Sequence, residues 1–363
     1  MLPDTKNRKK IKLVLEDGST YHGYSFGADK NISGEVVFYT GMIGYPETLS
    51  DPGFKGQILV MTYPAIGNIG IPALEKDDQG ILKSFESDNA QIAGLVITDY
   101  SDKYSHWSAE KDLSSWLKEQ GIPAIYGSDT RAIAKKLREQ GTMKGELIIS
   151  DDTVIDSELN VNKVGVKKPV IYGEGKTKLI LVDCGTRNNI IRRFIKRGVK
   201  IWRVPWTYDI FNSEYDYDGI IISGGPGSPK KYISAINTVK KALEKNIPLL
   251  GVGLGNLILA LAAGAEVYKM RPGHRSQNQP SLAVGGKRCY ITNQNHGFAV
   301  KEGSLPEGWK VSFININDNS IEGIAHKSKP WTGVQFYPDG SDMTDTEFIF
   351  DKFIESCKNG KTH

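Results

Sequence analysis

One long apolar segment limits what this chain can fold into. The segment Ile247–Ala265 reads IPLLGVGLGNLILALAAGA, and its length would suit a membrane-spanning helix. However, Pro248, four glycines and Asn256 interrupt it, and a continuous transmembrane helix would not explain their positions. A buried strand, a sharp glycine turn and a buried helix explain them better. The segment therefore predicts a strand–turn–helix unit of an α/β protein and no membrane span.

The same alternation of strands and helices extends from Thr177 onward. KLILVDCG, VKIWRVPW and YDGIIISGGPGSP have the apolar composition of buried strands, and RNNIIRRFIKRG and SAINTVKKALEKN have amphipathic helical patterns. This order predicts a mainly parallel sheet that is covered by helices on both faces. Such sheets bind ligands beyond the carboxyl ends of their strands. We therefore expect the site at the two turns Ser223–Pro229 and Gly251–Leu257.

The first part of the chain, residues 1–150, has a mixed α/β pattern. Alternating apolar residues around Asp17 and Gly18 predict a hairpin, and Gln91–Tyr100 reads as a buried strand. Two helical patterns follow, for which Ser114 and Asp129 are the expected N-terminal caps.

Residues 151–176 are polar, with charge runs and scattered glycines, and predict a linker. The remaining residues, 177–363, form the predicted doubly covered sheet domain. The fold class expected from the whole sequence is thus α/β in two domains.

Charge and cysteine content exclude several classes of function. Lys plus Arg number 46 and Asp plus Glu 42, so the net charge of +4 argues against a nucleic-acid partner. Cys184, Cys289 and Cys357 lie far apart and give neither a disulfide framework nor a metal-ligand spacing, so no metal is expected. Because the N-terminus lacks an apolar signal core, we expect a cytoplasmic protein.

The turn G-V-G-L-G at 251–255 has the form of a nucleophile elbow. In that device a strand ends in a sharp turn that exposes the central residue above a helix N-terminus. The helix dipole there would stabilise a thiolate or an oxyanion. The central residue of this turn is Gly253, which has no side chain and cannot act as a nucleophile.

Several longer motifs carry a specific resemblance. They are LVLEDGSTYHGYSFG, GEVVFYTGMIGYPETLSDPGFKGQI, TYPAIGNIG, DTRAIAKKLREQG, VDCGTRNNIIRRF, SGGPGSP, GVGLGNLILALAAGA, KMRPGHRSQNQP, NQNHGFAV and GVQFYPDG. With them, the chain resembles the small, glutamine-amidotransferase subunit of carbamoyl phosphate synthetase over nearly its full length. The resemblance implies a small-subunit N-terminal domain followed by a class I glutamine amidotransferase domain. It also implies a role in an ATP-dependent carbon–nitrogen ligase.

The resemblance implies catalytic positions that this sequence has changed. Active family members carry a cysteine at the elbow, and a histidine and a glutamate in a V-Q-x-H-P-E motif. The matching positions here are Gly253, Tyr337 and Asp339, so no intact catalytic set is expected. None of the three cysteines stands at an elbow, and we expect no substitute nucleophile among them.

The family match also assigns a ligand pocket and the partners. Its positions in this sequence are Gly41, Gly225, Gly227, Leu254, Leu257, Asn295, Gly297 and Phe298. Gly41 and Leu257 replace polar residues of active members, and His296 is expected to line or support the pocket. SGGPGSP lacks the Lys-Ser/Thr end of a phosphate-binding loop, so no cofactor is expected on this chain. ATP and magnesium are expected on a large-subunit partner.

Three functions remain open at this point. The first is a subunit without glutaminase activity, which supports ammonia-dependent synthesis or acts structurally or allosterically on the large subunit, in the pyrimidine or the arginine pathway. The elbow resembles that of the ammonia-dependent synthetases of urea-producing animals. The second is a regulatory protein that binds glutamine or another small molecule without cleaving it. The third is an altered hydrolase that uses Tyr337 and Asp339 with a water molecule.

Overall fold

The computed structural model describes residues 8–150, 152–156, 159–339 and 345–359, without the side chain of Asn359. The chain divides into two compact units, Met1–Leu159 and Asn160–His363. This division falls within the segment 151–176, for which the sequence predicts a linker. Residues of that segment join the sheets of both units, as described below.

The first unit is built on one mixed sheet. Its described strands are β1 (Lys10–Leu15), β2 (Thr20–Ser25), β3 (Ile32–Tyr39), β4 (Gln57–Met61), β5 (Ile71–Pro72), β6 (Gly94–Val96), β7 (Ala109–Lys111), β8 (Ala124–Tyr126), β9 (Met143–Ile148) and β10 (Ile155–Asp156). Eight of the described strands form the sheet, in the order β10-β3-β4-β6-β8-β2-β1-β9. Because β9 also pairs with β3, the sheet closes on itself, while β5 and β7 form a separate pair.

Three helices described in this unit are α1 (Tyr45–Leu49), α2 (Leu113–Glu119) and α3 (Thr130–Gln140). The side chain of Asp129 accepts a hydrogen bond from Ala132 N and caps α3, as predicted. The cap predicted at Ser114 is wrong. Asp112 caps α2 instead, because Ser114 lies inside the helix and donates its hydroxyl to the Phe26 carbonyl.

Two other local predictions in the first unit have different outcomes. The hairpin at Asp17 and Gly18 is confirmed, since β1 and β2 pair antiparallel and Gly18 has a φ of 84°. The strand expected over Gln91–Tyr100 is shorter. Only Gly94–Val96 is a strand, because β4 and β8 pair with these residues alone.

The second unit contains the doubly covered sheet. Its described strands are β11 (Val170–Tyr172), β12 (Thr177–Asp183), β13 (Val199–Pro205), β14 (Gly219–Ile222), β15 (Leu249–Val252), β16 (Val267–Ala283), β17 (Cys289–Val300), β18 (Trp309–Asn315), β19 (Ile321–His326) and β20 (Trp331–Val334). They follow the order β11-β13-β12-β14-β15-β20-β19-β17-β16-β18. The five strands from β13 to β20 in this order are parallel, and the others pair antiparallel.

The helices described in the second unit are α4 (Asn188–Ile195), α5 (Ile233–Glu244), α6 (Leu254–Ala263) and α7 (Phe348–Asn359). The central strands β14 and β15 are buried at every position, as expected for a sheet covered on both faces. The α/β fold class predicted from the sequence is therefore confirmed. The apolar segment Ile247–Ala265 forms β15, a one-residue turn and α6, as predicted. No helix among the described residues is long and apolar enough to cross a membrane.

Candidate functional site

The turn between β15 and α6, which we call the elbow (residues 251–255), has a backbone that suits glycine. Gly253 has φ 56° and ψ −113°, a conformation that strains any residue with a side chain. A Cβ at Gly251 would lie 2.5 Å from the Gly255 carbonyl oxygen, and one at Gly255 would lie 2.0 Å from the Ile222 carbonyl oxygen. The two outer glycines are thus required by close backbone packing, as in a nucleophile elbow.

The central position differs from the outer ones, because it has room for a side chain. A Cβ built on Gly253 would have its nearest neighbours at ordinary contact distance, with Gly224 Cα and Tyr337 Cε1 both at 3.6 Å. The elbow therefore directs position 253 at the ring of Tyr337. The positive φ of Gly253, and no clash of an added Cβ, therefore disfavours alanine there.

Tyr337 and Asp339 lie together around a buried arginine that the sequence analysis did not single out. Arg187 follows β12 and is the N-terminal flanking residue of α4. Its Cζ lies 4.5 Å from the centre of the Tyr337 ring, and its Nε lies 3.7 Å from Asp339 Oδ2. All three residues are less than 10% exposed. Arg187 thus joins positions 337 and 339, with its cation over the aromatic ring, and position 253 faces the same ring.

The main chain at Asp339 is also held in place. Its carbonyl oxygen accepts hydrogen bonds from Asn189 Nδ2 at 2.8 Å and from Arg193 Nε at 3.1 Å. Both donors belong to α4, so the helix that follows Arg187 also positions Asp339. No signal in the sequence pointed to these contacts, since they join residues about 150 positions apart.

Asn256 and Gln335 form a second pair that stabilises the elbow. Asn256 Nδ2 donates to Gln335 Oε1 at 2.9 Å, and Gln335 Nε2 donates to the carbonyl of Gly253 at 3.3 Å. Both amides are buried. Gly253 N donates to the Val334 carbonyl at 2.8 Å. The central residue of the elbow is therefore hydrogen-bonded on both sides by the β20 segment.

The glycine-rich turn after β14 packs against the end of β12. A Cβ at Gly225 would lie 2.0 Å from the Cys184 carbonyl oxygen and 3.0 Å from Leu254 Cδ2. Gly227 has a φ of 79°, which also favours glycine. The predicted pocket residues Gly225 and Leu254 are thus close together, while the side chains of Leu254 and Leu257 are buried and contribute to the core.

The other predicted pocket residues lie on β17 and in the first unit. Asn295, Gly297 and Phe298 belong to β17, which pairs with β16, and a Cβ at Gly297 would lie 2.9 Å from Arg275 Nη2. Gly41 follows β3 in the first unit, where a Cβ would lie 2.3 Å from the Tyr39 ring. Its assignment to the pocket stays a prediction.

The cysteines are poorly suited to act as nucleophiles. Burial raises the pKa of Cys184 well above its ordinary value, and burial raises that of Cys357 to about 12. Cys289 is exposed at the start of β17. A thiol must ionise to attack a carbonyl group, so burial keeps Cys184 and Cys357 inactive.

A separate group, which we call the histidine cluster, consists of the buried residues His274, His296 and Glu322 and the partly exposed Asp318. His274 lies between Glu322 Oε1, at 3.0 Å from its Nδ1, and Asp318 Oδ2, at 2.9 Å from its Nε2. Burial opposes the charged form of His274, but hydrogen bonds to the two carboxylates outweigh it and raise the pKa to about 9. Hydrogen bonds from His274 and Ser320 outweigh burial at Asp318 and lower its pKa.

His296, which the sequence analysis assigned to pocket lining or support, behaves differently from His274. Its Nδ1 lies 2.9 Å from the Phe298 carbonyl oxygen, and its Nε2 lies 2.9 Å from Gln294 Oε1. Burial lowers its pKa to about 4, against the opposing charge of Glu322. The cluster thus holds one charged and one neutral imidazole at neutral pH.

Comparison with known proteins agrees with this architecture. Residues 13–147 match the family model of the carbamoyl-phosphate synthase small chain, CPSase domain, and residues 180–356 match that of class-I glutamine amidotransferases. A glutamine amidotransferase of Thermotoga maritima with a solved structure is 18% identical, covers 52% of this chain and 87% of its own, and has a TM-score of 0.39. That likeness is too low to support an argument.

Curated relatives match almost the whole chain. The mitochondrial ammonia carbamoyl-phosphate synthase of Mus musculus is 46% identical over 97% of this chain, and multifunctional protein pyr1-3 of Dictyostelium discoideum is 46% identical over 99%. The chain spans only 24% and 17% of those two proteins. The arginine-specific small chain of carbamoyl phosphate synthase from Neosartorya fischeri is 41% identical over 97% of this chain and 81% of its own length. With this identity over most of both chains, this chain belongs to the family of carbamoyl-phosphate synthase small chains.

Proposed function

We propose that this chain is the small subunit of a carbamoyl phosphate synthetase and does not itself hydrolyse glutamine. Together with a large subunit, it would support the formation of carbamoyl phosphate from bicarbonate, ATP and ammonia. ATP and magnesium would bind to the large subunit. The observation that carries the proposal is the elbow, whose backbone directs position 253 at Tyr337 while the residue there is glycine.

The chemistry of the site supports the absence of glutamine hydrolysis. The covalent route needs a nucleophile within hydrogen-bond reach of a base, and Gly253 offers no atom for it. The base position holds Tyr337, whose ring packs under the Arg187 guanidinium. Asp339 lies beside that guanidinium, with its Oδ2 at 3.7 Å from Arg187 Nε. Removing the nucleophile and the base from a catalytic triad lowers turnover by several orders of magnitude.

The proposal also states which nitrogen donor replaces glutamine, namely free ammonia. The match to the mitochondrial carbamoyl-phosphate synthase [ammonia] of Mus musculus includes the elbow region, because it spans 97% of this chain. The name of the Neosartorya relative refers to arginine. Supply of carbamoyl phosphate to arginine or pyrimidine synthesis is therefore part of the same proposal.

The experiment is a reconstitution of this chain with its candidate large subunit. Carbamoyl phosphate formation is measured with ammonium and, separately, with glutamine as the nitrogen donor. We expect the two chains to associate, and we expect this chain to increase the rate with ammonium and to give no synthesis with glutamine. The large subunit alone is the reference for both rates.

Two outcomes would contradict the proposal in different ways. Synthesis with glutamine would show that the site has a nucleophile or an activated water. Failure to associate, together with stoichiometric glutamine binding in a calorimeter, would favour the regulatory binding protein. A Gly253→Ala variant is the matched control for any glutamine effect, since it adds a methyl group at the centre of the elbow and no chemistry.

A further inference from the structure

The histidine cluster offers a set of metal ligands. His274 on β16, His296 on β17 and Glu322 on β19 are each less than 10% exposed. One ligand atom from each of the three lies within 4.8 Å of the other two. Two imidazoles and a carboxylate form the donor set that zinc prefers, whereas magnesium and calcium prefer oxygen ligands alone.

Four ring nitrogens in this cluster face oxygen atoms. Those of His274 face Glu322 Oε1 and Asp318 Oδ2, and those of His296 face the Phe298 carbonyl and Gln294 Oε1. A neutral imidazole has one N–H donor and one lone pair. His296 is the neutral ring, so one of its nitrogens directs a lone pair at an oxygen atom, which is unfavourable unless a cation lies between them. The charged His274 donates to both of its carboxylates, and zinc would replace the proton on its Nδ1.

The second carboxylate oxygen of Glu322 strengthens this argument. Glu322 Oε2 is buried and has no hydrogen-bond partner among the described residues, and it lies 3.8 Å from His296 Nε2. Leaving a buried carboxylate oxygen without a partner is costly. A cation between Glu322 and His296 would satisfy both the oxygen and the nitrogen.

The ring nitrogens that point away from the proposed metal, His274 Nε2 and His296 Nδ1, contact the kind of acceptors that support metal-bound histidines. A ligating imidazole usually donates its other N–H to a carboxylate or a carbonyl, which fixes the orientation of the ring. Asp318 is such a carboxylate for His274, and the Phe298 carbonyl is such an acceptor for His296. The side chain of Asp318 is 42% exposed, so the cluster reaches solvent on that side.

We propose that His274 Nδ1, His296 Nε2 and Glu322 bind one zinc ion. Tetrahedral zinc with bonds of about 2.0–2.1 Å separates its ligand atoms by about 3.4 Å. Glu322 Oε1 lies 3.0 Å from His274 Nδ1, and Glu322 Oε2 lies 3.8 Å from His296 Nε2, so each carboxylate oxygen faces one of the two imidazoles. One ligand atom from each of the three residues lies within 4.8 Å of the others, so small side-chain shifts would bring them to this separation. Gln294 Oε1, at 2.9 Å from His296 Nε2, is the nearest candidate for a fourth ligand.

A zinc ion here would connect β17 and β19, two strands that have few backbone hydrogen bonds with each other. β17 and β19 pair at a single position, Val300 with Ile321, so they diverge towards His296 and Glu322. The metal would join the two strands where hydrogen bonds between their backbones do not. Its role is therefore structural and separate from the proposed function at the elbow.

The test uses the full chain, freed of metal with a chelator and then given zinc alone. We expect one zinc per chain after gel filtration, and an X-ray absorption spectrum with two imidazole nitrogens in the first shell. Glu322→Gln should abolish stoichiometric binding. Asp318→Asn, which alters the partly exposed outer contact of His274 and removes no proposed ligand, should weaken the affinity by about 10- to 100-fold in a chelator competition.

His326→Gln is the matched control, because His326 also lies on β19 and is outside the cluster. It should bind zinc as the unaltered chain does. The proposal is overturned if the chain retains no zinc, if the spectrum lacks imidazole ligands, or if His326→Gln weakens binding as much as Asp318→Asn. If Glu322→Gln does not fold, the X-ray absorption spectrum and the zinc affinity of Asp318→Asn still test the proposal. Carbamoyl phosphate synthesis is not the readout, so failure here leaves the proposed function untouched.

Discussion

The elbow and the histidine cluster lie on the same sheet but are maintained in different ways. At the elbow, the chain turns closely because side chains are missing, and a Cβ at Gly255 would lie 2.0 Å from the Ile222 carbonyl oxygen. In the histidine cluster, buried polar side chains contact one another across three strands. The contrast shows that the geometry of a nucleophile elbow is a property of the backbone. It can persist without any catalytic group, whereas the cluster depends on the identity of each side chain.

The largest expected effect concerns the restoration of chemistry at the elbow. Gly253→Cys alone should give no measurable glutaminase activity, because Tyr337 and Asp339 supply no histidine base. The triple variant Gly253→Cys, Tyr337→His, Asp339→Glu should exceed the single variant by about 10³-fold or more, as the loss of a triad base costs at least that much. Ammonia release from glutamine is the measurement. A measurable rate for Gly253→Cys that equals the rate of the triple variant would show that Tyr337 already acts as a base, and no activity in the triple variant would contradict the prediction.

The second prediction separates the outer from the central glycines of the elbow. Gly255→Ala should cost about 3 kcal/mol or more, because its methyl group would overlap a backbone oxygen that cannot move freely. Gly253→Ala should lower the free energy of unfolding by about 1–2 kcal/mol. Its methyl group meets no atom closer than 3.6 Å, so the strain of the positive φ is the only cost. Urea unfolding followed by circular dichroism measures both. The distinction fails if Gly253→Ala is the more damaging of the two.

The third prediction concerns pH and the histidine cluster. The pKa of His274 is raised from 6.5 to about 9, so its contribution to stability is complete below pH 6.5 and is lost as the pH rises towards 9. That loss corresponds to about 3 kcal/mol at most. His296, with its pKa lowered to about 4, contributes stability above pH 6.5 that is lost as the pH falls towards 4.

Unfolding free energies measured in chelator between pH 5 and 9.5 test this profile. His274→Gln should remove most of the decrease on the alkaline side. It should reduce the decrease on the acid side only in part, because burial, the largest cause of the lowered His296 pKa, remains when the charge of His274 is removed. Variants of the elbow should shift the whole curve without changing its slope, because the elbow glycines do not titrate. A His274→Gln curve with the same alkaline slope as the unaltered chain would assign the effect to another group.

The same contrast explains what the sequence could and could not predict. The strand–turn–helix at 247–265 was predictable, because its apolar residues are buried on both faces and its glycines mark the turn. β16 was not identified as a strand. Its polar residues have no period of two, and Gly273, with a φ of 62°, interrupts it. Its conformation depends on pairing with β17, which is a tertiary contact.

In the candidate site too, the sequence could not predict contacts that only the fold creates. The family resemblance identified positions 253, 337 and 339, and the structure places them together. It did not identify Arg187, because an arginine at the start of a helix usually lies in solvent and only the fold brings this one over Tyr337. His274 and Glu322 are 48 positions apart, so no local spacing marks them as a pair.

The smallest expected effect tests whether individual polar contacts in the histidine cluster matter. Ser320 Oγ donates to Asp318 Oδ1 at 2.7 Å, and Ser320 N donates to the same oxygen at 3.0 Å. Ser320→Ala should cost about 1 kcal/mol, because one of two hydrogen bonds to a charged group is lost. It should not move the alkaline loss of stability to a lower pH, because Asp318 stays ionised near pH 9 and its Oδ2 still accepts from His274 Nε2.

Ser312→Ala is the matched control for that substitution. The hydroxyl of Ser312 is buried on β18 and has no hydrogen-bond partner among the described residues, so its removal should cost less than about 0.5 kcal/mol. Urea unfolding of both variants at pH 7 and pH 9 measures the difference. An equal cost for the two serines would mean that the polar contacts of the cluster add nothing beyond packing. The cluster would then tolerate side-chain loss as the elbow does, and the contrast between the two regions would not hold.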